Sequence, residues 1–274
     1  MRTRRNVAIV NFIVVVLSVG CSSRSIELCN QQSAVRLVYR SMGGGQTVPV
    51  ISENAFDFLI VDGQCHFWAQ PDIYSDAKEG QLSDEDADVL ARKLDLAQWD
   101  RLDGTYVDDL CDGPTREFRF DMNKIEIYGS CNGGNPSASI EHLKSATRQE
   151  LTSLYQAGAS VTGPVRFALV AEDLGSTWSP ALEAAAATWP LEIDPASVSI
   201  TPYEAATYRA GSSRALTEPD AEILRELRRA FFQKGNASLS GGFVPIRGAQ
   251  GEHFELYVRD SISLEDAQGI LQLD

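Results

Sequence analysis

Few residues in this chain have types and spacing that could do chemistry. The sharpest set is Gly129-Ser130-Cys131-Asn132-Gly133. Small residues around a nucleophile let it sit on a strained strand-to-helix turn, open to a carbonyl substrate. A sulfur nucleophile there needs a base, and the base needs a group to orient it. Asp194 and then His253 follow downstream in a usable order. The chemistry would be hydrolysis through an acyl-sulfur intermediate at Cys131. Three features oppose it. The segment before the motif reads as half of a hairpin, the chain lacks alternating β and α segments, and Cys131 has another cysteine close by to pair with.

Metal and phosphate chemistry have less support. His66, His142 and His253 are scattered, and no cysteine or histidine cluster has zinc spacing, so no metal ligand and no cofactor is assigned. Asp84, Glu85, Asp86 and Asp88 lack the glycine and spacing of a calcium loop and read as solvated acids at a helix start. No Lys-Ser/Thr follows Gly43-Gly44-Gly45, which reads as a hairpin tip. Trp68, Trp99, Trp178 and Trp189 could line a groove, but packing is the commoner fate of indoles. Asn236-Ala237-Ser238 reads as a sequon.

The cysteines suggest an oxidising compartment. Besides Cys21 there are Cys29, Cys65, Cys111 and Cys131, an even set that allows three pairings. Thr115 to Phe120 and Ile125 to Ser130 alternate as strands around Asp121-Met122-Asn123-Lys124. Pairing Phe120 with Ile125 puts position 114 opposite Cys131 and brings Cys111 within reach. The expected disulfides are Cys111–Cys131 and Cys29–Cys65.

The N-terminus points the same way. Arg2, Arg4 and Arg5 precede a nearly apolar run from Val7 to Val19, too short to span a bilayer, which needs about 20 residues. The run ends Leu17-Ser18-Val19-Gly20-Cys21. This resembles the lipobox of bacterial lipoproteins, with Leu17 one place further from the cysteine than usual. The resemblance implies cleavage before Cys21, a diacylglyceryl group on its sulfur and acylation of the new amino terminus. Ser22, with no Asp after the cysteine, implies the outer membrane in a two-membrane cell, facing the periplasm. The other reading is an ordinary secretory signal cut near Gly20. Both export the protein.

The whole chain has 274 residues, 43% apolar and 23% charged, ample for a core. Acidic residues number 38 against 24 basic, and three of the basic ones lie in the leader. So acidic a surface repels nucleic-acid phosphates, and no nucleic-acid partner is expected. The expected partners are a membrane, through the N-terminal lipid, and another envelope protein.

The elements read as α+β, with local hairpins packed on helices. Strands are expected at Ala34 to Ser41, Phe56 to Val61, Gln64 to Ala69, Val165 to Ala171 and Val198 to Thr201, with a hairpin of Phe243 to Arg247 and Glu252 to Arg259. Helices are expected over Ser83 to Leu94, Asn135-Pro136 to about Gln156, Ser179-Pro180 to near Trp189, and Glu218 to Gln233, with a short one capped by Ser263. The last long helix should turn Ile223, Leu224, Leu227, Ala230 and Phe231 to the core. Leu82 to Leu90 and Leu216 to Leu224 are alike, each with a capping residue (Ser83, Thr217) and an acid three places on (Asp86, Asp220). Tyr74 and Tyr208 precede them by equal distances, and Val35-Arg36-Leu37 resembles Val165-Arg166-Phe167. The organisation expected is a signal peptide 1–20, a tether 21–30, a first unit 30–157, a linker 158–164 and a second unit 165–274 that duplicates the first. Function is expected to be that of a lipid-anchored, non-enzymatic binding or structural module, the alternative being an envelope hydrolase using Cys131.

Overall fold

A computed structural model describes residues 26–32, 34–42, 57–110, 113–131, 134, 136–172, 178–203, 214–240 and 242–262. The fold is α+β, with two sheets. The first sheet contains β1 (Val35–Met42), β2 (Asp57–Asp62), β3 (His66–Gln70), β4 (Lys78–Gln81), β5 (Gly104–Asp108), β6 (Thr115–Phe120), β7 (Asn123–Gly129) and β8 (Ala159–Ser160). Its order is β5-β7-β6-β1-β2-β3-β4-β8. The second contains β9 (Val165–Ala171), β10 (Ala187–Thr188), β11 (Arg214–Leu216), β12 (Val244–Arg247) and β13 (His253–Asp260), in the order β10-β12-β13-β9-β11. Each sheet is antiparallel except for one edge strand, β5 on β7 and β10 on β12.

Alternation builds the first core. Leu37 and Tyr39 from β1, Leu59 and Val61 from β2, Phe67 and Ala69 from β3, and Phe118 and Phe120 from β6 all face one way. Helices α1 (Asp84–Lys93) and α3 (Ala138–Ala157) cover them, and Trp99 in α2 (Trp99–Leu102) fills the gap edge-on to Phe118 and Phe120. Helix α1 begins as its sequence demands: Ser83 accepts from the Asp86 amide at 3.1 Å and its hydroxyl donates back to the Asp86 carboxylate at 2.6 Å. Ser137 caps α3 in the same way.

The other face of the first sheet carries Val38, Phe58, Ile60 and Trp68, packed with Ala77, Val161 and Ile262. Arg40 and Glu117, directly opposite each other on β1 and β6, form a buried pair at 2.8 Å there. In the second sheet Phe167, Leu169, Ile246, Phe254 and Leu256 pack against α6 (Asp220–Gln233). Short helices α4 (Pro180–Ala185), α5 (Pro195–Val198) and α7 (Ala237–Ser240) complete this half.

Several expected details change. The β6–β7 turn is two residues, Asp121-Met122, with Asp121 at φ +53°, so Phe120 faces Asn123 and Ile125 faces Phe118. Asn-like tolerance of Asp for positive φ makes the tight turn accessible. The β2–β3 loop is three residues long and ends in Cys65 at φ +68°, so Val61 pairs with Phe67. Thr217 does not cap α6, which starts after the cis Glu218-Pro219 bond with no side-chain cap. No strand runs from Val198 to Thr201: Asp194-Pro195 starts helix α5, which ends at Val198, and a single bridge follows, Ile200 to Val170. The Ala-rich helix stops at Ala185, since residues 187–188 join β12 as a parallel edge. Within segment 158–164, residues 159–160 form β8 against β4, and Val161 donates to Ala77 O at 3.1 Å. The expected hairpin tip at 43–45 and the helix after Ser263 lie outside the described residues.

The two sheets share a pattern of strand directions about β1 and β9. In the first, however, the earlier hairpin strand (β6) lies next to β1, and in the second the later one (β13) lies next to β9. The similar segments Leu82 to Leu90 and Leu216 to Leu224 also follow non-equivalent strands: β4 lies three places from β1, whereas β11 lies directly beside β9.

Candidate functional site

The sequence-nominated nucleophile sits at the end of β7 in the first sheet. Cys131 is held in a disulfide, so its sulfur is no thiolate. The small residues around it have a packing reason. A Cβ on Gly129 would lie 2.5 Å from the Leu110 carbonyl oxygen and 2.6 Å from the Gly113 amide nitrogen, and one on Gly134 would lie 2.1 Å from the Val107 carbonyl oxygen. The chain after β5 packs flush against the end of β7, with Ser130 donating to Asp108 O at 3.1 Å. Asp108 anchors this corner. Burial alone would raise its pKa, but the Lys144 ammonium at 2.6 Å outweighs that and holds its carboxyl below the usual range. Arg116 adds a second cation at 3.2 Å.

The other proposed participants are committed elsewhere. Asp194 caps α5 through the Ala196 amide at 3.1 Å. His253, on β13 of the second sheet, stacks on Trp178 at 4.2 Å between ring centroids, and its Nε2 lies 3.0 Å from Glu183. His66 is half exposed beside Asp62 at 3.4 Å, and His142 lies on the exposed side of α3. Each of the four indole N–H groups donates internally: Trp68 to Glu79, Trp99 to Leu94 O, Trp178 to Glu172 and Trp189 to Ile193 O. Among the described residues no three metal-ligating side chains gather, and no helix is long and apolar enough to cross a membrane.

Cys29 and Cys65 form a disulfide with Cα atoms 5.2 Å apart. It pins residues 26–31 to the first sheet: Leu28 is buried in the core, Gln31 donates to Gly63 O at 2.6 Å, and Arg36 donates to Glu27 O at 3.1 Å. Arg36 also pairs with Asp121 in the β6–β7 turn and lies over the Phe120 ring. A cavity of about 440 Å³ opens beside it, with Ile26, Leu96 and Phe120 among its walls. Cys21 and Cys111 lie outside the described residues.

Two clusters were not read from the sequence. The first joins the sheets. Asp260 at the end of β13 accepts from Arg225 at 2.6 Å, Arg228 at 3.0 Å and the Ala77 amide at 2.9 Å. Arg228 and Arg229 reach across to Asp76, and Tyr74 packs on Phe232. Burial would raise the Asp260 pKa, but the two guanidiniums hold it below the usual carboxylate range. The second lies on the outer face of the second sheet. Glu255 accepts from the Tyr257 hydroxyl at 2.7 Å, and Glu172 lies within hydrogen-bonding reach of it. Burial, with the Glu172 charge adding, raises Glu255 to about 7. The helical spacing of Arg225 and Arg228 with Ala221 and Phe231 was a signal for the first cluster. The second arises only from the β9–β13 pairing and left no local trace.

Comparison with protein-family models, curated proteins and solved structures finds no match.

Proposed function

We propose that this is an exported protein held by acyl chains on Cys21 at a membrane of the cell envelope, the outer membrane facing the periplasm, where it acts as a non-enzymatic binding or structural module. The observation that carries the proposal is the Cys29–Cys65 disulfide. Stable disulfides belong to oxidising compartments. This one fixes the chain eight residues after Cys21, so a lipid there would hold a rigid body on a short leash. Two or three acyl chains, at about 0.8 kcal/mol per buried CH₂, give durable attachment where one is marginal.

Cys131 is read as structural and paired with Cys111. Leu110 and Gly113, which flank Cys111 in the sequence, lie against Gly129, two residues from Cys131. A sulfur so engaged offers no nucleophile, and Asp194 and His253 have other partners. The excess of acid suits a basic protein surface, drawn in by long-range attraction. Two measurements test the proposal. Replacing Cys21 (Cys21→Ser) should abolish palmitate labelling and move the protein from the membrane to the soluble fraction. Titration of the folded mature form should find no free thiol. A reactive thiol of depressed pKa at Cys131 would instead support nucleophilic catalysis and overturn the non-enzymatic reading.

A further inference from the structure

We infer that the β6–β7 turn is the corner of the body that meets the lipid bilayer, with the Met122 side chain in the headgroup region. The inference rests on the proposed lipid at Cys21 and adds an orientation to it. Met122 is 95% exposed, the most exposed large apolar side chain among the described residues, and it sits at the tip of a two-residue turn. The path of the chain places the tether beside it. From Gln31, bonded to Gly63 in the β2–β3 loop, the chain runs back to Glu27, whose carbonyl accepts from Arg36. The same guanidinium holds Asp121, the neighbour of Met122. Glu27 and the turn are thus bridged by one side chain. Cys21 is six residues further back and can lie no more than about 20 Å from Glu27, even fully extended.

Asp121 is paired with Arg36, and Lys124 with Glu126 at 2.6 Å. The unpaired acids at the start of α1, Asp84 and Glu85, follow β4. In the sheet order β4 lies four strands from β6, about 19 Å away at the usual strand spacing. Those acids therefore lie to one side of the β6–β7 turn. The cavity that opens at the same corner has Glu27, Asp100 and Asp121 among its walls beside Ile26, Leu96 and Phe120.

The test uses the full-length lipidated protein in vesicles of phosphatidylethanolamine and phosphatidylglycerol. A fluorophore is attached through p-azidophenylalanine at position 122 or, in a second variant, at position 128. Tyr128 is on the same strand, about 20 Å towards the opposite end, and is partly exposed. Quenching by nitroxide-bearing lipid should be at least about threefold stronger at 122 than at 128, while both variants float with the vesicles. If both float and quenching is equal, absent or stronger at 128, the orientation is wrong and the tether stands. If neither floats, the tether itself fails and the orientation falls with it.

Discussion

Glu255 is a carboxyl whose chemistry departs far from what its type suggests. A carboxyl raised to about 7 is protonated in the folded chain over a range where the unfolded chain has already ionised. Between its ordinary 4.5 and about 7 the native state binds the extra proton, so its contribution to stability falls as pH rises through that window and is lost above it. The Glu255→Gln variant keeps the hydrogen-bonding shape without the charge. Its urea midpoint should fall less between pH 5 and pH 8 than that of the parent protein. Equal slopes for the two proteins would show that Glu255 ionises normally. Cys131 teaches a related lesson. The glycines of Gly129-Ser130-Cys131-Asn132-Gly133 read as the signature of a catalytic turn, but Gly129 is small because the Leu110 and Gly113 backbone lies against it. A motif reports that space is tight, and only the surroundings say why.

At the scale of elements, α6 shows what a helical stripe conceals. Its apolar residues alone put the buried face at Ile223, Leu224, Leu227, Ala230 and Phe231, but Ile223 and Ala230 are exposed. The structure rotates the centre of burial by roughly 100°, about one residue of helix, to include Ala221, Arg225 and Arg228. The helix serves two neighbours: its own sheet on one side and the Asp76 segment of the first half on the other. Arg225 and Arg228 are 2% and 1% exposed and share one carboxylate, Asp260. The Asp260→Asn variant leaves both guanidiniums buried with much less counter-charge. Breaking a buried ion set in this way typically costs about 3–5 kcal/mol. Denaturant unfolding should show a loss of that order, and a loss under about 1 kcal/mol would mean the network is poorly formed in solution. Elements defined by local chemistry were legible: α1 from Ser83, α3 from Asn135-Pro136 a few residues before its start, and the β12–β13 hairpin. Elements set by pairing with distant chain were not. Residues 159–160 and 187–188 are strands only because β4 and β12 offer them an edge.

For the whole molecule, the claim is that an acidic, disulfide-stabilised α+β body is tied at its N-terminal corner to a membrane. The Cys29–Cys65 bridge spans 36 residues and in the chain-entropy model stabilises the fold by about 4 kcal/mol. The double variant Cys29→Ser, Cys65→Ser should lower the unfolding free energy by that order and release residues 26–31 to proteolysis before the sheets open. Unchanged stability would mean that the bridge adds nothing to a segment already held by Leu28 and the Gln31–Gly63 bond. The α+β class was readable from the alternation and turns. The inter-sheet contact was not, because Asp76, Arg228 and Asp260 come together only in the folded chain.

The most direct measurement is the intact mass of the mature protein, extracted from the membrane without reductant. It should correspond to a chain beginning at Cys21, carrying a diacylglyceryl group and usually a further acyl chain, and lacking four hydrogens for two disulfides. A mass matching an unmodified chain, or one retaining free thiols, would contradict the account.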